Sequence, residues 1–147
     1  MDNYIFLIHN NIGDYMRLWH YKLIKYLPNK MLVSQWRECI AIKRQWEKGT
    51  LKHRLVSYVK KYEKGYFLNY VEIVVSELNN RNIKYNNKYL NEIKNFCGNK
   101  ISSIYMEHNN RYLKQCYFNL DEKYDRGIID NDEFIKIKQN VNKSIKL

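Results

Sequence analysis

Arg37-Glu38 is the pair of residues most able to do chemistry in this chain. Between Met16 and Tyr62 there are twelve lysines and arginines but only two carboxylates, Glu38 and Glu47. Glu47 closes a periodic segment, where an acidic residue needs no special reason. Glu38 instead sits in the middle of a polar face that is otherwise positive. Lys30, Arg37 and Arg44 recur every seven residues. On a helix they line up along one side with a small drift, spaced about 10 Å apart. Ser34, Glu38, Ala41 and Gln45 form the neighbouring strip. Such a ladder of cations can hold phosphates while the carboxylate beside it does acid–base work. The same spacing also describes a solvated basic face on which Glu38 only balances charge.

The elements that must position this pair follow from apolar periodicity. Pro28 suits the first turn of a helix, and Met31, Leu32, Trp36, Cys39, Ile40 and Ile42 then recur at three- and four-residue spacings, which predicts an amphipathic helix over 28–47. Ahead of it, apolar residues at 18, 19, 23, 24 and 27 mark a short lead-in segment. Lys48–Arg54 reads as a basic loop. Ser57 is placed to open a second helix within 55–79, with Phe67, Val71, Val74 and Leu78 inward; Gly65 either lies in that helix or splits it near its start. Asn79-Asn80 reads as its exit. Asn86-Asn87 begins a shorter helix with Tyr89, Leu90, Ile93 and Phe96 inward, closed by Gly98. Asn109 or Asn110 caps a helix carrying Leu113, Tyr117, Leu120 and Tyr124, ended by Gly127. Asp130 and Glu133 make a capping-box start for a last helix with Phe134, Ile137 and Val141. No strand alternation survives. The expected fold is all-α, a compact single-domain bundle of four to five helices with no dividing linker.

Composition points the same way as the basic ladder. The 147 residues carry a net charge of +11 and 14 tyrosines. Cations interleaved with aromatics are the footprint of nucleic-acid binding, because phosphates need charge and bases need flat surfaces. An AT-rich genome also inflates Lys, Asn, Ile and Tyr through codon usage, which explains the arginines less well. Cys39, Cys97 and Cys116 are odd in number and share no metal-binding spacing, so free thiols in a reducing cytoplasm are expected. His9, His20, His53 and His108 form no ligand pattern, so neither a metal nor another cofactor is expected. No apolar run reaches the ~18 residues of a membrane span. Residues 1–15 contain no lysine or arginine and read as a non-native or flexible extension, leaving 16–147 as the domain. Gly13-Asp14 can be encoded by a purine-rich ribosome-binding sequence just ahead of the Met16 codon, so translation is expected to begin at Met16.

The run MRLWHYKLIKYLPNKMLVSQWREC, from Met16 to Cys39, resembles the opening of the pyrimidine-dimer DNA glycosylases, the endonuclease V family of phage type. Within that family it is similar to a bacterial subgroup that begins M-R-L-W-H. Lys52-His53 with Tyr58-Val59, the stretch from Tyr62 to Asn86, and Ile104–His108 fit in order, so the resemblance covers about 16–125 and leaves the tail 126–147 unassigned. It implies a compact helical enzyme without a metal, which excises a damaged base with the α-amine of its first residue and then cuts the abasic strand by β-elimination. Carried onto this chain, the nucleophile is the Met16 amine and the assisting carboxylate is Glu38. Arg17, Lys30, Arg37 and Arg44 would hold the DNA backbone, with Lys52, His20 and His53 as further contacts. Trp19, Trp36 or a tyrosine could support a displaced base, although core packing suits Trp36 better. His108 is expected to be structural. Where the phage enzyme has a proline and an arginine after R-E, this chain has Ile40 and Ala41, so Lys43 or Arg44 must supply that phosphate contact.

The chemistry is reasonable. An α-amine has a pKa of about 7.7–8.0, against about 10.4 for lysine, so much of it is free base near neutral pH. Arg17 and Arg37 would lower it further, and cations around Glu38 would keep that carboxylate ionised. In the chain as written, however, the Met16 nitrogen lies in the Tyr15-Met16 peptide bond, so activity requires a start at Met16. The partner implied is double-stranded DNA with a damaged base or abasic site, met by a monomer in the cytoplasm of a bacterium or a virus-infected cell. A non-catalytic DNA- or RNA-binding helical module is the alternative, and a helical protein-interaction domain is a third.

Overall fold

Pro28, extended at ψ 151°, turns the chain into the first helix. Its carbonyl accepts two N–H groups of the first turn, from Met31 and Leu32, at 2.9 and 3.0 Å. Helix α1 then runs Asn29–Lys48 and ends at Gly49, whose φ of 74° is a left-handed stop that a side chain would strain. The computed structural model describes residues 16–147. The proposed extension 1–15 lies outside the described residues.

Four more helices follow: α2 (Lys64–Asn80), α3 (Asn87–Cys97), α4 (Asn110–Asp125) and α5 (Asn131–Asn142). Two 3-10 turns, Tyr21–Tyr26 and Ser57–Lys61, complete the order, and no strand occurs among the described residues. The all-α bundle expected from periodicity is what forms. Three of the expected caps are present: Asn86 and Asn109 accept from the N–H groups of Lys88 and Tyr112, and Asp130 and Glu133 close a reciprocal capping box.

Helix α2 is the hub, buried along Phe67, Leu68, Tyr70, Val71, Val74, Val75 and Leu78 and packed against α1, α3 and the first 3-10 turn. Its second residue, Gly65, is required by a close approach. A Cβ there would stand 2.4 Å from the Asn99 carbonyl oxygen, and the Ile101 N–H donates to the Gly65 carbonyl. Arg81, just past α2, donates to the carbonyls of Lys25 and Leu27 and to Asn29 Oδ1 while paired with Glu77. This one guanidinium ties the end of α2 to the start of α1.

One expectation needs correction. The helix expected within 55–79 is split, because Ser57–Lys61 is a 3-10 turn and Tyr62 is extended. Tertiary contacts decide this. The Tyr58 hydroxyl meets His108 Nε2 at 2.8 Å, while the Tyr62 hydroxyl donates to Glu107 at 2.6 Å and accepts from the Met106 N–H. The tail beyond Asp125 forms the last helix expected there. Phe134, Ile137 and Val141 are buried, Phe134 stacks on Tyr124 and Tyr117, and Asn140 donates to the Lys22 carbonyl. Helix α5 therefore braces the 3-10 turn that follows the lead-in segment. All three cysteines are free, and Cys39 and Cys116 are buried. No helix among the described residues is long and apolar enough to cross a membrane.

Candidate active site

Residues 16–20 form neither helix nor strand, so their backbone groups need partners from elsewhere. Side chains on three helices supply them. From α1, Gln35 Oε1 accepts from the Trp19 N–H at 2.7 Å and Gln35 Nε2 donates to the Arg17 carbonyl at 2.9 Å. From α2, the Tyr70 hydroxyl donates to the Trp19 carbonyl at 2.5 Å. From α4, the Tyr112 hydroxyl donates to the Leu18 carbonyl at 2.6 Å. The side chains of Met16, Leu18 and Trp19 point into the core beneath this network. A segment with no secondary structure of its own is thereby tied to α1, α2 and α4.

Glu38 lies against the same segment. Its carboxyl accepts from the Arg17 backbone N–H and from Gln35 Nε2, the latter at 3.1 Å. The Arg17 and Lys123 charges face it from the lead-in segment and from α4. These four influences favour ionisation, yet burial outweighs them and pushes the Glu38 pKa up to about 8. The expectation that surrounding cations keep this carboxyl ionised is therefore corrected. The residue as a whole is part-exposed, while its carboxyl is the buried end. Burial, followed by the Arg17 and Arg126 charges, lowers the Lys123 pKa from the usual lysine value. Burial and the neighbouring Glu38 hold the Cys39 thiol neutral.

The proposed phosphate contacts divide into two groups. Lys30, Arg44 and Lys52 are exposed, and Arg17 and Arg37 are part-exposed. The Arg17 guanidinium lies over the Trp19 ring at 5.0 Å and that of Arg44 over Tyr89 at 5.1 Å. Lys43 does not belong with them, because its ammonium is almost fully buried and pairs with Glu47 at 2.9 Å. His20 does not either. It is 1 % exposed, its Nδ1 accepts from the Lys22 N–H, and its ring bonds to the backbone of His108 and Asn109. His53 is part-buried, with Nδ1 accepting from the Leu55 N–H and Nε2 enclosed. His108 is structural, as expected: its Nδ1 accepts from the Tyr21 N–H at 3.2 Å. Trp19 and Trp36 are both core residues and cannot stack on a displaced base as they stand.

The family model described as pyrimidine dimer DNA glycosylase matches residues 16–91, just over half of the chain. The chain belongs to this family. No curated protein and no solved structure matches it. Membership makes it a DNA glycosylase, with DNA as its substrate. The match begins at Met16 and takes in α1, α2 and the start of α3, and with them Gln35, Glu38 and Tyr70. Tyr112 and Lys123 lie beyond it on α4, so two of the groups that face residues 17–38 come from outside the matched stretch. Sequence reasoning missed Gln35, Tyr70, Tyr112 and Lys123. For Gln35 and Tyr70 a signal existed: each is a polar group within an apolar stripe. For Tyr112 and Lys123 there was none.

Proposed function

We propose that this glycosylase excises a base from a pyrimidine dimer in double-stranded DNA and then cuts the abasic strand, using the α-amine of a chain that starts at Met16. The contact between the Arg17 N–H and the Glu38 carboxyl carries this reading, because the Met16 nitrogen is only one residue further back. A free amine there would stand beside a carboxyl whose hold on a proton is strengthened by burial. With the proton on Glu38, the amine is a free nucleophile. It attacks C1′ as the C1′–N bond to the base breaks; the attached nitrogen then gives up one proton and its lone pair opens the C1′–O4′ bond, with O4′ taking the proton, which leaves an iminium. The proton of Glu38 can follow the departing base. The resulting carboxylate stabilises the cationic sugar and then removes the C2′ proton, so that the C3′–O bond breaks with release of the phosphate. Arg17, Lys30, Arg37, Arg44 and Lys52 would hold the phosphates, and the distorted duplex would bring C1′ to the amine.

Borohydride trapping on a duplex with one abasic site tests the proposal. A chain starting at Met16 should become covalently fixed to the DNA, while the chain starting at Met1 should not. Trapping by the Met1 form would reject the Met16 amine and turn attention to Lys123, which faces Glu38. No trapping by either form would leave a DNA-binding protein that does not work through an imine.

A further inference from the structure

Gln35 is 1 % exposed and lies on a helix face otherwise built from Leu32, Trp36, Cys39 and Ile42. A leucine would bury there more easily than an amide, which must find partners for every polar atom. Gln35 finds them. Nε2 uses both its protons, on the Arg17 carbonyl and on Glu38 Oε2, while Oε1 accepts from the Trp19 N–H and lies 3.0 Å from the Tyr70 hydroxyl. These partners fix the orientation of the amide, since flipping it would set an NH2 group against the Trp19 N–H. Three residues apart on α1, Gln35 and Glu38 stand one turn over the other. Together they close a ring on residue 17, whose N–H goes to Glu38 and whose carbonyl goes to Gln35.

We propose that Gln35 is a positioning residue, a single buried amide that locks the Glu38 carboxyl to the backbone of residues 17–19. Its catalytic meaning rests on the function proposed above; the lock itself does not. A residue that merely filled the core would steady the fold and leave Glu38 unaffected. A lock makes a different prediction. Removing the Nε2 donor takes away a hydrogen bond that favours the ionised carboxylate, while the Arg17 and Lys123 charges and the neutral Cys39 thiol stay where they are.

The test is the titration of the Glu38 side-chain carboxyl by carbon NMR in the full 147-residue chain. Gln35→Met keeps the length of the side chain and removes the donor, so the Glu38 midpoint should rise by about one unit or more. Gln35→Glu keeps an acceptor for the Trp19 N–H but sets a second carboxyl beside Glu38, and should raise the midpoint further. It also serves if the methionine variant does not fold. Tyr70→Phe removes the support of the Trp19 carbonyl without touching Glu38, and should lower the melting temperature with the midpoint unmoved. If the Gln35 variants lose stability as Tyr70→Phe does and the Glu38 midpoint stays in place, the proposal is overturned. If the midpoint moves but the chain starting at Met16 traps no abasic DNA, the lock stands and the imine chemistry falls.

Discussion

Two buried polar clusters flank the lead-in segment, and they differ in what burial leaves behind. In the first, His108 accepts from the Tyr21 N–H and meets the Tyr58 hydroxyl, and His20 stacks on Tyr21 with its ring centroid 5.4 Å from that of His108. Burial lowers the His20 pKa to about 4 and that of His108 to about 3, so both rings are neutral near pH 7. Their hydrogen bonds all end within the protein. In the second cluster, burial leaves Glu38 holding a proton near pH 7 while part of the residue still meets solvent. The first cluster is finished and works as structure. The second keeps a titratable proton on a residue that is still part-exposed. A buried group that keeps a titratable proton is the better candidate for function.

The largest expected effect comes from breaking the second cluster. In the chain starting at Met16, Glu38→Gln should lower abasic-strand cleavage by roughly 10²–10⁴-fold, the usual contribution of a general acid–base group, with the helical circular dichroism unchanged. Equal activity in this variant would remove Glu38 from the chemistry. Breaking the first cluster should act on stability instead. His108→Leu orphans the Tyr21 N–H and should cost about 2–4 kcal/mol in urea unfolding, whereas a loss below about 0.5 kcal/mol would show that the cluster does not brace the fold.

The two clusters should also respond to pH with opposite signs. The histidine pKa values are lowered in the folded state, so unfolding takes up protons below pH 6.5 and stability should fall from there towards pH 4 and 3. The Glu38 pKa is raised from 4.5 to about 8, so its contribution is complete below pH 4.5 and lost as pH rises through 8. Melting temperatures across pH 4–9 should therefore show both limbs, and Glu38→Gln should flatten only the alkaline one. The smallest effect separates two neighbours on α1. Arg44→Ala should reduce the salt dependence of DNA binding by about one unit of slope, and Lys43→Ala, which removes a buried partner of Glu47, should leave that slope unchanged.

Much of this architecture was legible in the sequence because its signals are local. Pro28 and Gly49 bracket α1, Asn109 caps α4, and Asp130 with Glu133 starts α5, each through groups within four residues of one another. The Arg37-Glu38 pair was equally visible. What was not legible depends on partners far apart in the chain. Gln35 and Tyr112 serve backbone groups of residues 17–19 from 16 to 94 positions away. Tyr58 and Tyr62 break a periodic helix to reach the 105–108 loop. The ionisation of Glu38 is misread for the same reason: neighbouring cations show in a sequence, while the burial of a carboxyl does not.

The most direct measurement of the central claim is to map the covalent adduct. A chain starting at Met16 is reduced with borohydride on abasic DNA, digested, and the peptide carrying the sugar remnant is sequenced by mass spectrometry. The account predicts the remnant on the α-nitrogen of Met16, in a peptide that begins Met16-Arg17. A remnant on the side chain of Lys123 or any other lysine would contradict it.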